Sequence, residues 1–140
     1  FNLREMSRLR VPIVSAVLGE GMSGGALGIG VTDRILMMEH SIYSAISPEG
    51  CAAILWRSAE HRKKAATALR LTATDLVEAG VCDEIVAEPA GGAHSDWDTA
   101  AANLEEALDR HIGELSELST DALLEARWAK YEGIGSFREA

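Results

Sequence analysis

The chain has 140 residues, 47% hydrophobic and 25% charged, with 13 Lys and Arg against 22 Asp and Glu for a net charge of −9. This composition fits a globular chain of at most one domain; it excludes wholesale disorder and collagen-like repeats, and the apolar runs are too short to span a bilayer. Two cysteines, Cys51 and Cys82, cannot build a disulfide framework or a zinc ribbon, so a reducing, cytosolic setting is the default expectation.

In chain order, Asn2 to Leu9 reads as a helix running to a break at Pro12. No signal-peptide pattern precedes it, and the chain is expected to begin inside an element of a longer protein. Val11 to Leu18 is β-branched and almost wholly apolar, which predicts a central strand of a parallel sheet, buried on both faces. Glycines crowd Gly19 to Gly30, leaving room for about two turns of helix, roughly Gly24 to Val31, before a second strand at Ile35 to Glu39.

Ser47-Pro48 opens the next helix, carrying Ala52, Ala53, Leu55 and Trp56, and another follows through Ala59 to Leu69. Thr72 and Asp75 form a capping box, Gly80 stops that helix, and Asp83 to Val86 is a short strand ended by Pro89. After the Gly91-Gly92-Ala93-His94 loop, Ala101, Leu104, Leu108, Ile112 and Leu115 predict a buried stripe of one long helix, with Glu105, Glu106 and Asp109 outward. A last helix near Thr120 to Glu132 is expected to bury Leu124, Trp128 and Tyr131. Strands alternating with helices make this an α/β chain, and no internal repeat is visible in the sequence.

The acid is unevenly spread. Residues 1–82 hold nine basic and eight acidic side chains, whereas residues 83–140 hold four basic and fourteen acidic ones. An acidic surface without a basic stripe argues against nucleic acid as the main partner. Among side chains that could carry chemistry, His40, His61, His94 and His111 share no metal-ligand spacing, and none of them is read as a metal ligand. The basic run Arg57, Arg62, Lys63, Lys64 and Arg70 is read as a solvated helix face ahead of a phosphate contact.

The glycine-rich stretch supports three readings. Gly19-x-Gly21-x-x-Gly24, with Glu39 ending the next strand, matches a dinucleotide fingerprint for NAD. Gly21-x-Ser23-x-Gly25 matches the nucleophile elbow of a serine hydrolase, although a helix N-cap is the plainer role for Ser23. The third reading uses only backbone. Consecutive glycines at a helix start leave N–H groups bare, let a ligand approach closely, and so form an oxyanion hole.

Four blocks of the sequence carry a resemblance: Asn2-Leu-Arg-Glu-Met-Ser-Arg-Leu9, Gly19-Glu-Gly-Met-Ser-Gly-Gly-Ala-Leu27, Tyr43-Ser-Ala-Ile-Ser-Pro-Glu-Gly-Cys51 and Glu88-Pro-Ala-Gly-Gly-Ala-His94. In that order they are similar to the α subunit of the bacterial and plastid acetyl-CoA carboxylase carboxyltransferase, across nearly the whole chain. The resemblance implies a crotonase-like fold of stacked β-β-α units. Residues 1–90 would be the C-terminal part of that core and residues 91–140 an acidic helical extension.

It also implies a reaction, carboxyl transfer from carboxybiotin on a biotin carboxyl carrier protein to acetyl-CoA, giving malonyl-CoA for fatty-acid synthesis. The Gly24 and Gly25 amides would bind the biotin ureido oxygen, with Gly21, Ser23 and His94 as candidate substrate contacts. No cofactor or metal is expected on this chain; a β subunit, in an α2β2 assembly, would bring the zinc ribbon and most of the CoA site. The implied location is the bacterial cytoplasm, ahead of a plastid stroma. Met22 stands where the family often has glycine, and Ser95 where Arg is expected, which puts an anion contact at that loop in question. A fragment that binds its partner without activity is the remaining alternative.

Overall fold

The computed structural model describes residues 1–135. Its elements are α1 (Asn2–Ser7), β1 (Val14–Val17), β2 (Glu20–Met22), α2 (Ser23–Ile29), β3 (Arg34–Met38), β4 (Ile42–Ser44) and α3 (Pro48–Trp56). A 3₁₀ turn (Ala59–His61) leads to α4 (Arg62–Leu69), then come α5 (Ala73–Glu78), β5 (Glu84–Val86), α6 (Trp97–Ser116) and α7 (Thr120–Gly133).

Two parallel sheets run side by side, one of order β1-β3-β5 and one of β2-β4. The registers Val14↔Arg34 and Glu20↔Ile42 place β1-β2-α2 over β3-β4-α3, so the chain contains two stacked β-β-α units. The sequence showed no repeat because the units share geometry and not side chains. One local device does recur. Asp33 exchanges two hydrogen bonds with Ile13, N–H to carbonyl at 2.8 Å and carboxylate to N–H at 2.7 Å. Asp83 does the same with Ile35 at 2.8 and 2.7 Å, so each carboxylate binds the backbone at the start of the neighbouring strand.

The strand buried on both faces is β3, not β1. Ile35 and Met37 join Tyr43, Ala73 and Cys82 in one core cluster, while Leu36 and Met38 join Val86, Ala100 and Ala107 in the other. β1 is parallel as predicted, but it lies at the sheet edge among the described residues and its strand starts only at Val14. Its apolar sequence could not distinguish a middle position from an edge. The three-residue strands β2 and β4 were missed, since the glycines that surround β2 read as turn.

The long C-terminal helix packs with its stripe rotated from the predicted one. Ala100, Ala107, His111 and Leu115 are buried, whereas Ala101 and Ile112 are exposed. Two alanines let α6 approach the sheet closely, a reason invisible to a pattern that ranks large apolar residues first. In α7 the buried residues are Leu123 and Arg127, and Trp128 is 52% exposed. Arg127 and Asp33 are each 2% exposed and form a two-point ion pair, Nε to Oδ1 and Nη2 to Oδ2, both at 2.8 Å. The remaining guanidinium hydrogens go to the carbonyls of Leu9 at 2.8 Å and Val11 at 2.9 Å and, more distantly, of Met6 and Ser7 at 3.3 and 3.4 Å. One turn on, Lys130 pairs with Asp83, and the Tyr131 hydroxyl receives the Thr32 N–H at 2.8 Å. Helix α7 thus clasps the starts of β1, β3 and β5.

Candidate functional site

The glycine-rich stretch is a strand followed by a helix. Met22 is the extended N-cap of α2 (φ −131°), and Ser23, the first helical residue, stands in the left-handed region at φ 66°. Ser23 is therefore not the N-cap. Among the described residues no side chain caps α2, in contrast with α3, α5, α6 and α7, whose N-caps Ser47, Thr72, Asp96 and Ser119 each accept a first-turn N–H. The first-turn N–H groups of α2 have no intrahelical acceptor. A Cβ built at Gly24 or Gly25 would meet nothing within 4 Å, so no packing inside the chain demands glycine there.

Gly21 and Gly30 differ from that pair. Added Cβ atoms would lie 2.7 Å from the Tyr43 ring and 2.2 Å from its hydroxyl, so both glycines make room for Tyr43. Gly21 is also the registered neighbour of Tyr43 across the β2-β4 pair. Its role is structural as well as local to the site. Beside it lies a cleft of about 330 Å³ running along β1 and β2 from Ser15 to Met22 and closed by Ala26, Ile29, Ile35 and Tyr43. Of the candidate site residues Gly21, Ser23, Gly24, Gly25 and His94, only Gly21 lines it, and among the described residues its one charged lining residue is Glu20. Burial, with a smaller effect of Tyr131, pushes the Tyr43 phenol above its ordinary range, and its hydroxyl donates to the Ala26 carbonyl.

The remaining candidates are engaged elsewhere. Glu88 accepts the N–H groups of His40 at 3.0 Å and Ala93 at 2.7 Å, and His40 Nδ1 lies 3.3 Å from it. The His40 backbone N–H is the largest of the causes that hold the Glu88 carboxyl below the usual range. His94 sits in the same loop over Gly91 and Gly92, both at positive φ, and not at the α2 cleft. His111 is buried with Nε2 2.7 Å from Glu84, and His61 meets Trp56 edge-on. With all four histidines so placed, the triad a serine hydrolase needs is not assembled on Ser23.

The dinucleotide fingerprint fares no better. Strand β2 lies inside it, so its three glycines do not form one phosphate-cradling turn, and Glu39 accepts the Glu88 N–H at 3.2 Å. The basic run is exposed on this chain; Lys64 sits 4.8 Å over the Trp56 ring, and Arg70 pairs with Asp75 and Glu78. Among the described residues, no group of three or more His, Cys, Asp or Glu could hold a metal, and no helix is long and apolar enough to cross a membrane. Sequence reading missed Tyr43, Asp33 and Arg127. Only Tyr43, inside a quoted block, carried any signal.

Three comparisons bear on the chain. A family model described as acetyl co-enzyme A carboxylase carboxyltransferase-like matches residues 1–135. Curated relatives include the acetyl-coenzyme A carboxylase carboxyl transferase subunit alpha of Geobacter metallireducens, 57% identical over 99% of this chain. The subunit of the same name from Parasynechococcus marenigrum is 56% identical over 99% of it. The chain spans only 43% and 42% of the length of those two relatives.

Among solved structures, a chain of a Pseudomonas malonate decarboxylase hetero-tetramer in complex with coenzyme A superposes on 90% of this chain and 50% of itself, with TM-score 0.59 and 18% identity. A transcarboxylase 12S chain matches over 99% of this chain and 23% of its own, with TM-score 0.51 and 15% identity. These likenesses concern the fold, and the stacked β-β-α units are of the crotonase-like class that the resemblance implied.

Proposed function

Since the chain belongs to the acetyl co-enzyme A carboxylase carboxyltransferase-like family, we propose that it is the C-terminal part of a carboxyltransferase α subunit. The reaction is transfer of a carboxyl group from carboxybiotin, delivered on a carrier protein, to acetyl-CoA, giving malonyl-CoA. The partner is a carboxyltransferase β subunit, in an α2β2 assembly in the bacterial cytoplasm, and it brings the zinc ribbon and most of the CoA site. Residues 1–90 belong to the catalytic core and residues 91–140 form an acidic extension.

The N–H groups of Gly24 and Gly25 donate to the ureido oxygen of the biotin substrate as negative charge develops on it. The observation that carries this is the uncapped start of α2 with open space over both glycines. A side chain there would occupy the space a ligand needs, and a side-chain cap would consume the donors. The helix dipole adds a favourable field for an anion, and preorganised amides in a dry site stabilise a transition state by several kcal/mol. The proposed chemistry needs no side-chain base, because the nitrogen freed on biotin takes the acetyl proton. Gly21 shapes the strand before these donors, and Ser23 sets their direction through its left-handed backbone.

The test is malonyl-CoA formation by the full-length subunit with its β partner, comparing wild type with Gly25→Val. A fall of about tenfold or more is expected for a blocked donor. Unchanged turnover refutes the role.

A further inference from the structure

Helix α2 has seven residues, three of them glycine, and none is buried. Two turns of such a sequence are not stable alone, since each interior glycine weakens a helix and nucleation is costly. Leu27 and Ile29 are exposed, and the helix's apolar hold on the core cluster comes from the small side chain of Ala26. What fixes it beyond that is a set of hydroxyls on its C-terminal carbonyls. Tyr43 of β4 donates to the Ala26 carbonyl at 3.0 Å, and Ser15 of β1 donates to that of Ile29 at 2.8 Å. Tyr131 of α7 donates to the Gly30 carbonyl and receives the Thr32 N–H.

Tyr43 does more than cap a carbonyl. Its ring is seated so closely against Gly21 and Gly30 that neither could carry a Cβ without displacing it. Gly21 lies two residues before Ser23, and Ala26 lies one residue after Gly25. Tyr43 therefore holds the backbone on both sides of the glycine pair. Over two turns, about 10 Å, a helix moves as one body, so a shift at Ala26 is carried to the Gly24 and Gly25 amides.

We propose that Tyr43 is a positioning residue that aligns the Gly24 and Gly25 N–H groups by holding α2, with Tyr131 as a second hold from the C-terminal helix. The proposal rests on the oxyanion reading above and goes beyond it by naming what sets the donor geometry. Each tyrosine acts through the carbonyl it grips.

The variant Tyr43→Phe keeps the ring between the two glycines and removes only the donor to Ala26. In the full-length subunit with its β partner, kcat is expected to fall about tenfold while KM for acetyl-CoA stays within about twofold, since misplaced donors weaken the transition state and not substrate binding. Combined with Gly25→Val, it should cause no further fall, because the donors it aligns are already blocked.

A normal kcat for Tyr43→Phe, alongside a reduced one for Gly25→Val, overturns the positioning role and leaves the oxyanion reading standing. Equal losses from Tyr43→Phe in both backgrounds also overturn it, since the tyrosine would then act independently of the amides. A normal kcat for Gly25→Val defeats the oxyanion reading itself, and the positioning role with it. Tyr131→Phe tests the second hold by the same cycle, with the same expected pattern.

Discussion

Replacing Arg127 with Met removes the guanidinium that Asp33 faces while keeping a side chain of similar reach. Asp33 is 2% exposed, so its carboxylate would be left buried with only the Ile13 N–H and no counter-charge. The carbonyls of Leu9 and Val11, now 2.8 and 2.9 Å from the guanidinium, would lose their donors at the same time. Breaking a buried pair by removing one partner costs about 3–5 kcal/mol, and each carbonyl left unpaired adds to that unless water reaches it. Against a total stability of about 5–15 kcal/mol, this is a large share of what a domain has. Urea denaturation of the full-length protein, followed by tryptophan fluorescence, measures it. Arg127→Lys should lose clearly less, because the ammonium keeps a counter-charge for Asp33, yet still some stability, because it cannot bridge both carboxylate oxygens and two carbonyls from a single position. The double variant Arg127→Met with Asp33→Asn should recover part of the loss, since an amide still accepts the Ile13 N–H and no charge is left stranded. A loss below about 1 kcal/mol for Arg127→Met, or strict additivity in the double variant, would refute the clasp.

Two further outcomes follow from local geometry. Arg110 binds Glu84 through two hydrogen bonds of 2.7 and 2.8 Å, and His111 adds a third contact; together they hold the carboxyl below its usual range against the opposing effect of burial. A lowered folded-state pKa means the contribution is fully present above the unfolded value, near 4.3, and is lost as the pH falls through the folded value. The thermal midpoint should therefore drop between about pH 5 and pH 3 less steeply in Glu84→Gln than in wild type, and parallel curves would contradict the pairing. Ser23→Gly should raise stability by a few tenths to 1 kcal/mol, because a left-handed φ of 66° strains serine and not glycine; calorimetry that finds destabilisation would mean the serine side chain holds the turn.

Much of the fold was legible where a single local rule decides. Thr72 and Asp75 form the predicted capping box, Ser47 caps α3 ahead of Pro48, and β5 falls at Glu84–Val86. The order of strands was not legible, because β1 and β3 are both short apolar runs and only pairing distinguishes edge from middle. Helix periodicity failed where size and charge run against hydropathy: alanine is the close-packing residue on α6, and arginine is the most buried one on α7. At the candidate site the glycine pair could be singled out from sequence, since bare amides need no side chain. Tyr43 could not be given its place, because its partners Gly21 and Gly30 are glycines for its sake, and sequence gives no reason for a glycine.

The uneven charge also acquires a physical account. Among the described residues after Cys82, the cations are Arg110, Arg127 and Lys130, and each is bound to a carboxylate, on Glu84, Asp33 and Asp83 respectively. Two of those carboxylates, Asp33 and Asp83, are the ones that clasp the strand starts. Arg127 and Lys130 are thus turned inward to neutralise the strand starts, Arg110 stays at the surface on Glu84, and Glu105, Glu106 and Asp109 face water. A net charge reads such an arrangement as an acidic protein. The geometry makes α6 an acidic outer face, which disfavours an anionic ligand there, whereas the first turn of α2 carries no acidic side chain and its dipole favours one.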